Sequence, residues 1–184
     1  MMMHLTRCNY ESIADNDWLN IVIDFDELLV PQGGSKTYQE FMRNLLRKNS
    51  TLERHAMYTA NARNYYTSYE PDESQTRHLP LLRYNQHGYS GVLPYKTMRR
   101  PHACVASQMH QCMVTDGYKA RQVVLSANQM VNYHFRSRCK NVAVNCSAEN
   151  LVKHRDNFLA ENFGADLRRR VEKVLKELDF DVNF

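Results

Sequence analysis

Apolar positions along the chain fall into short runs separated by polar stretches, and their spacing predicts alternating strands and helices. Residues 18–25 (WLNIVIDF) form an apolar run ending in acids, the pattern of a buried central strand. Pro31, Gly33 and Gly34 mark a loop, with Ser35 placed to cap the next helix. Tyr38, Phe41, Met42, Leu45 and Leu46 recur at helical spacing and predict that helix over 36–48. A second strand is expected at 55–60, then a polar, Tyr-rich loop over 61–73. A helix over 74–87, interrupted or started late by Pro80 and stopped by Gly88, precedes a third strand at 89–95.

Pro101 suits a first helical turn and opens an expected helix reaching 114. QVVLS at 122–126 reads as a buried strand, 129–139 as a helix, and NVAVN at 141–145 as another strand. Ser147 would cap a short helix over 147–154. Over 165–178, Leu167, Val171, Val174, Leu175 and Leu178 face inward, opposite Arg168, Arg169, Arg170, Lys173 and Lys176. This alternation implies an α/β fold: one three-layer domain over 18–184, its sheet mostly parallel with helices on both faces. Residues 1–17 are expected to be a poorly ordered leader. Ligands of such sheets gather at the carboxyl ends of strands, which singles out Asp24, Asp26 and Glu27.

The bulk numbers, 184 residues with 43% hydrophobic and 24% charged, suit one globular domain. No run of eighteen apolar residues is present, so no membrane span is expected. No apolar signal core comes after the first residues, so an intracellular location, cytoplasmic or nuclear, is expected. Cys8, Cys104, Cys112, Cys139 and Cys146 are odd in number and scattered, the usage of reduced thiols. The net charge of +4 is unevenly spread: residues 91–184 carry fifteen basic side chains against nine acidic. Such a surface attracts a polyanion such as RNA, or simply solubilises one face.

Ile23-Asp24-Phe25-Asp26-Glu27-Leu28, RRPHACVASQMHQCM at 99–113, SANQMV at 126–131 and NVAVNCSAENLVKHRDNFLAEN at 141–162 occur in that order. The order resembles the NYN branch of the PIN-like ribonucleases. That resemblance implies a PIN-like fold and a centre where carboxylates hold Mg or Mn for RNA cleavage. It aligns the family's first acid with Asp24 and its next polar position with Glu27. It aligns the paired helix acids with Cys104 and His110, and the last turn with Ser126, Asn128 and Met130. Thiol, imidazole, amide and thioether groups do not replace hard oxygen ligands. The resemblance therefore implies a degenerate nuclease with no cofactor, acting as an RNA-associated or protein-complex-forming module. Lys96, Arg99, Arg100, Arg136, Arg138 and Lys140, interleaved with Tyr95, Tyr133 and Phe135, would then contact RNA. A protein partner would dock on the basic face of 168–176 or on the Tyr-rich 58–69 segment.

Three other readings share these residues. A residual metal-dependent endoribonuclease would use Asp24 as a ligand to Mg or Mn, helped by Asp26 or Glu27. Asp24-Phe25-Asp26 also resembles the haloacid dehalogenase phosphatases, which implies Asp24 as nucleophile and Asp26 as acid–base, with Ser126 and Lys140 or Lys153 in support. Leu28 departs from that family, which places Thr there. His102, Cys104, His110 and Cys112 are ligand types that zinc takes, although one continuous helix would not align them. Against these stand structural roles: acids ending a strand also cap and solvate its turn, and Cys and His also serve as buried or partly buried packing residues.

Overall fold

The computed structural model describes residues 2–75, 79–88, 96–108, 110–136 and 154–178. The strands expected at 89–95 and 141–145, and the helix expected at 147–154 apart from His154, lie outside the described residues. In chain order the elements are α1 (Met2–Ala14), β1 (Asn20–Val22), β2 (Glu27–Pro31), α2 (Tyr38–Lys48), β3 (Met57–Ala60), β4 (Ala62–Tyr66), α3 (Pro80–Arg83), β5 (Gln86–His87) and β6 (Lys96–Arg99). They continue with β7 (Cys104–Ser107), β8 (Cys112–Val114), β9 (Val123–Leu125), β10 (Met130–Arg136), β11 (His154–Arg155) and α4 (Phe158–Glu177). The chain folds as two units, one of residues 1–62 and 91–133, the other of 63–90 and 134–184.

The first unit centres on a sheet of order β1-β6-β3-β9. Strand β6 pairs antiparallel with β1, Val22 opposite Thr97, and antiparallel with β3, Met57 opposite Arg99. Only β9 runs parallel to its neighbour β3. The expected mostly parallel, three-layer sheet is therefore not what forms. A parallel pair needs a crossover of a dozen or more residues after each strand. Here β6 runs antiparallel to both β1 and β3, while residues 23–26 turn from β1 into β2, which is not its sheet neighbour, closed by the Glu27 N–H donating to the Asp24 carbonyl at 3.1 Å.

Helix α2 forms close to where its periodicity predicts, but Thr37 rather than Ser35 caps it, its Oγ1 accepting from the Glu40 N–H at 3.1 Å. Its inward side chains Phe41, Met42 and Leu45 join Leu29, Tyr58, Met98, Leu125 and Met130 in the main core of this unit. The helix expected over 101–114 is instead a 3-10 turn, Pro101–Ala103, leading into the antiparallel pair β7–β8. Within the stretch 129–139, expected as a helix, residues 130–136 form strand β10 instead. Ser107 stands opposite Cys112, and Cys104 and Cys112 are joined as a disulfide. Those two are thus not the thiols that compartment logic suggested, while Cys8 is free and exposed. With the cysteines eight apart in sequence, the bond removes unfolded-chain entropy worth about 2–3 kcal/mol. Replacing both cysteines by serine should lower the urea unfolding free energy by roughly that amount. An unchanged midpoint would show that the bridge constrains nothing that matters.

The second unit holds β5 between β4 and β11, with Tyr65 opposite His87 and His87 opposite His154. The expected Tyr-rich loop is here a strand and turn whose Tyr65, Tyr66 and Tyr69 are buried. Tyr65 stacks on Phe135, ring centroids 5.2 Å apart. Among the described residues of the expected second helix, only Pro80–Arg83 is helical. The last helix, α4, begins earlier than its periodicity suggests. It buries Leu159 and Gly164 and leaves Val174 and Leu178 exposed. A side chain at Gly164 would begin 3.6 Å from Leu82 Cδ1 and 3.4 Å from Arg168 Nη2, which keeps this contact close. No helix among the described residues is long and apolar enough to cross a membrane.

Candidate functional site

The turn from β1 to β2 carries Asp24, Phe25 and Asp26 outward and Glu27 inward. Two short-range contacts shape it: the Glu27 N–H donates to the Asp24 carbonyl, and the Asp24 N–H donates to Glu27 Oε2 at 3.2 Å. A third clamp comes from β6. Thr97 faces Val22 across the ladder, so Lys96 extends past the end of β1 and reaches the turn. Its Nζ donates to Asp24 Oδ2 at 2.7 Å and lies 3.2 Å from Glu27 Oε2. The Lys96 and Glu27 side chains are 1% and 0% exposed, whereas that of Asp24 is 50% exposed. From β10, Asn132 Nδ2 donates to the other Glu27 oxygen at 3.3 Å.

Burial alone would lower the Lys96 pKa, but hydrogen bonds and charge from Asp24 and Glu27 more than reverse this, and the net shift is upward. Lys96 therefore stays charged. Glu27 is consumed inside as its counter-ion. Asp24 and Asp26 remain as two solvent-facing carboxylates on a braced turn, with Phe25 fully exposed between them. They are hard oxygen donors, the ligand type of Mg²⁺ or Mn²⁺ rather than of softer metals. No group of three or more His, Cys, Asp or Glu among the described residues is arranged to hold a metal. A cation here would need further oxygens from a ligand, which is how Mg²⁺ commonly binds beside phosphates.

The other residues singled out from the sequence are placed elsewhere. Arg99 is 1% exposed and Lys96 is sequestered, so neither offers a charge to a polymer at the surface. Arg100 donates to the Glu53 carbonyl at 2.7 Å and lies over the Trp18 ring, 5.3 Å from its centroid. Arg136, in the second unit, is half-buried with Nε 3.2 Å from His134 Nε2. Arg138 and Lys140 lie outside the described residues. Cys104 is in the disulfide, and Met130 is wholly buried in the core. Ser126 comes after β9 and donates to Gln129 Oε1 at 3.0 Å, Asn128 is exposed, and the His110 carbonyl accepts from Gln122 Nε2 at 2.7 Å. The acid-x-acid turn was legible in the sequence. The Lys96 clamp and Asn132 were not, because they converge from 72 and 105 residues away with no local pattern to mark them.

The sequence pattern of glycosyltransferase family 92 matches residues 1–180, nearly the whole chain, and the chain belongs to that family. No curated protein matches it. Membership overturns the resemblance to NYN ribonucleases, and with it the degenerate nuclease, the RNA-associated or complex-forming module, the residual endoribonuclease and the haloacid dehalogenase-like phosphatase. The physical reason matches: the positions those readings grouped are a disulfide, a core methionine and separate surface turns.

Proposed function

We propose, from membership of glycosyltransferase family 92, that the chain transfers a sugar from a nucleoside-diphosphate donor, with Asp24 and Asp26 at the donor phosphates. The observation behind this reading is the braced turn itself: two exposed carboxylates whose neighbouring acid and lysine neutralise each other in the interior. In glycosyl transfer the anomeric carbon bonds to an acceptor oxygen, whose proton passes to a base or to solvent, as its bond to the nucleoside diphosphate breaks and negative charge grows on that leaving group. Two carboxylates would repel that leaving group, so they fit it only when a divalent cation stands between them. Mg²⁺ or Mn²⁺ held by Asp24 and Asp26 would supply the positive charge that stabilises the departing diphosphate. Lys96 bonds Oδ2 of Asp24 and thereby fixes the orientation of the carboxylate. Glu27 holds the Asp24 backbone N–H, so the turn is organised before any ligand arrives.

Asp24→Asn and Asp26→Asn keep the size of each side chain and remove its charge. Each should lower Mn²⁺-dependent transfer or hydrolysis of nucleoside-diphosphate hexoses by roughly a hundredfold or more. Assaying a panel of such donors with and without Mn²⁺, and checking the fold by circular dichroism, tests the reading. Activity retained in the doubly substituted protein would end it.

A further inference from the structure

A second site lies along β1, the strand that leads into Asp24. A cleft of about 250 Å³ opens between α1, β1, β6 and β7, lined by Leu5, Ile21, Val22, Arg99, Ser107 and the exposed Cys8. Most of this lining is apolar. Asn20 also borders it, but its amide is spent: Nδ2 donates to Asn9 Oδ1 at 3.2 Å, and Oδ1 accepts from Ser12 Oγ at 2.7 Å. Two further polar groups line the cleft, the Ser107 hydroxyl and the Arg99 guanidinium, whose Nε donates to Thr97 Oγ1 at 2.8 Å.

Both are strongly buried, Arg99 at 1% exposed and Ser107 at 2%. Ser107 Oγ has no hydrogen-bond partner among the described residues, although its backbone N–H donates to Thr6 Oγ1 at 3.2 Å. A buried hydroxyl without a partner is costly, and a cleft it lines is where a partner would come from. Arg99 adds a permanent positive charge held by burial in a poorly solvated place, which pushes its pKa down to about 10. A guanidinium and a hydroxyl both donate, and an oxyanion accepts from both.

We propose that this cleft is a binding site for a small oxyanion, a phosphate or a carboxylate group, held by Arg99 and Ser107. It is separate from the carboxylate pair, which has the opposite charge preference, and it does not depend on the reading of Asp24 and Asp26. Because Ile23 also lines the cleft, an occupant would rest against the segment that leads into the Asp24 turn.

Cys8 supplies the reporter. Its alkylation by iodoacetamide, tracked at the Cys8 peptide by mass spectrometry, should slow in a saturable way as inorganic phosphate or glucuronate is added at constant ionic strength. Protection by phosphate alone marks a phosphoryl ligand, and protection by glucuronate alone marks an acidic sugar; either supports the site. Ser107→Ala should raise the half-protecting concentration roughly tenfold, the worth of one hydrogen bond to a charged group. Arg99→Lys keeps the charge and loses the planar fork, and it should weaken protection further. The proposal fails if neither anion protects Cys8, if neutral glucose protects equally, or if Ser107→Ala leaves protection unchanged.

Discussion

Lys96→Met should destabilise the first unit by about 3–5 kcal/mol, the usual loss when one member of a buried ion pair is removed. The wild-type ammonium is 1% exposed and lies between two carboxylates, one of which, Glu27, is itself fully buried. Methionine fills much the same volume, so the change is chiefly one of charge. Glu27 would keep the Asn132 amide and the Asp24 N–H as neutral donors but lose the cation beside it. Asp24, half exposed, would be solvated by water and adds little to the loss. Urea unfolding of Lys96→Met, Glu27→Gln and the double variant distinguishes this from simple loss of packing. The double variant should recover much of the deficit, because no uncompensated charge then remains inside. Strictly additive losses would contradict the account. The upward shift at Lys96 also sets a pH limb: its contribution is complete below about pH 10.5, the ordinary value, and is lost as pH rises through the higher folded value.

The second unit is expected to depend on Asp156 almost as strongly. Its Oδ2 accepts from Arg63 Nη1 and from the Tyr65 hydroxyl, each at 2.7 Å, and its Oδ1 accepts from the Phe158 N–H at 2.9 Å. One 9%-exposed carboxylate thus ties β4 to the first turn of α4. Burial alone would raise its pKa; the Phe158 N–H, Tyr65 and Arg63 together reverse this, and the net shift is downward. The unfolded chain therefore binds the proton more readily than the folded one. This contribution to stability is intact above the ordinary value of 3.8 and disappears as pH falls through the lowered folded value. Asp156→Ala should cost about 3 kcal/mol at neutral pH, since Arg63 is mostly buried and loses its counter-ion. Near pH 2 the gap between variant and wild type should narrow. Hydrogen exchange of the α4 amides offers a local readout, and equal protection in variant and wild type at pH 7 would refute the assignment.

What could be read from the sequence was local. Tyr38, Phe41, Met42 and Leu45 announce α2 because one face of a helix must be apolar to reach the core. Residues 18–25 announce a strand, but only Asn20–Val22 form one, and it is a half-buried edge strand with Trp18, Ile23 and Phe25 exposed rather than a buried central one. The errors arose where short apolar runs admit two periods. In 129–139, Val131, Tyr133 and Phe135 alternate as a strand requires, yet Met130, Asn132 and His134 are also buried, so the run shows no outward polar face to settle the choice. In 101–114, Pro101 suits a helix start, and the hairpin is recognisable only once Cys104 and Cys112 are known to pair. A three-residue strand such as β1 cannot state whether its neighbours run with it or against it. That choice is made by distant pairing, β6 running antiparallel to both β1 and β3, and it removes the parallel sheet on which the nuclease and phosphatase resemblances rested.

The bridged hairpin β7–β8 affects how damage to this protein would be seen. A protease cutting one peptide bond between Cys104 and Cys112 would leave both fragments covalently attached. On a denaturing gel without reductant the nicked molecule would run near the intact one, and adding dithiothreitol would release two pieces. Intactness judged from non-reducing gels would therefore overlook scission in this stretch.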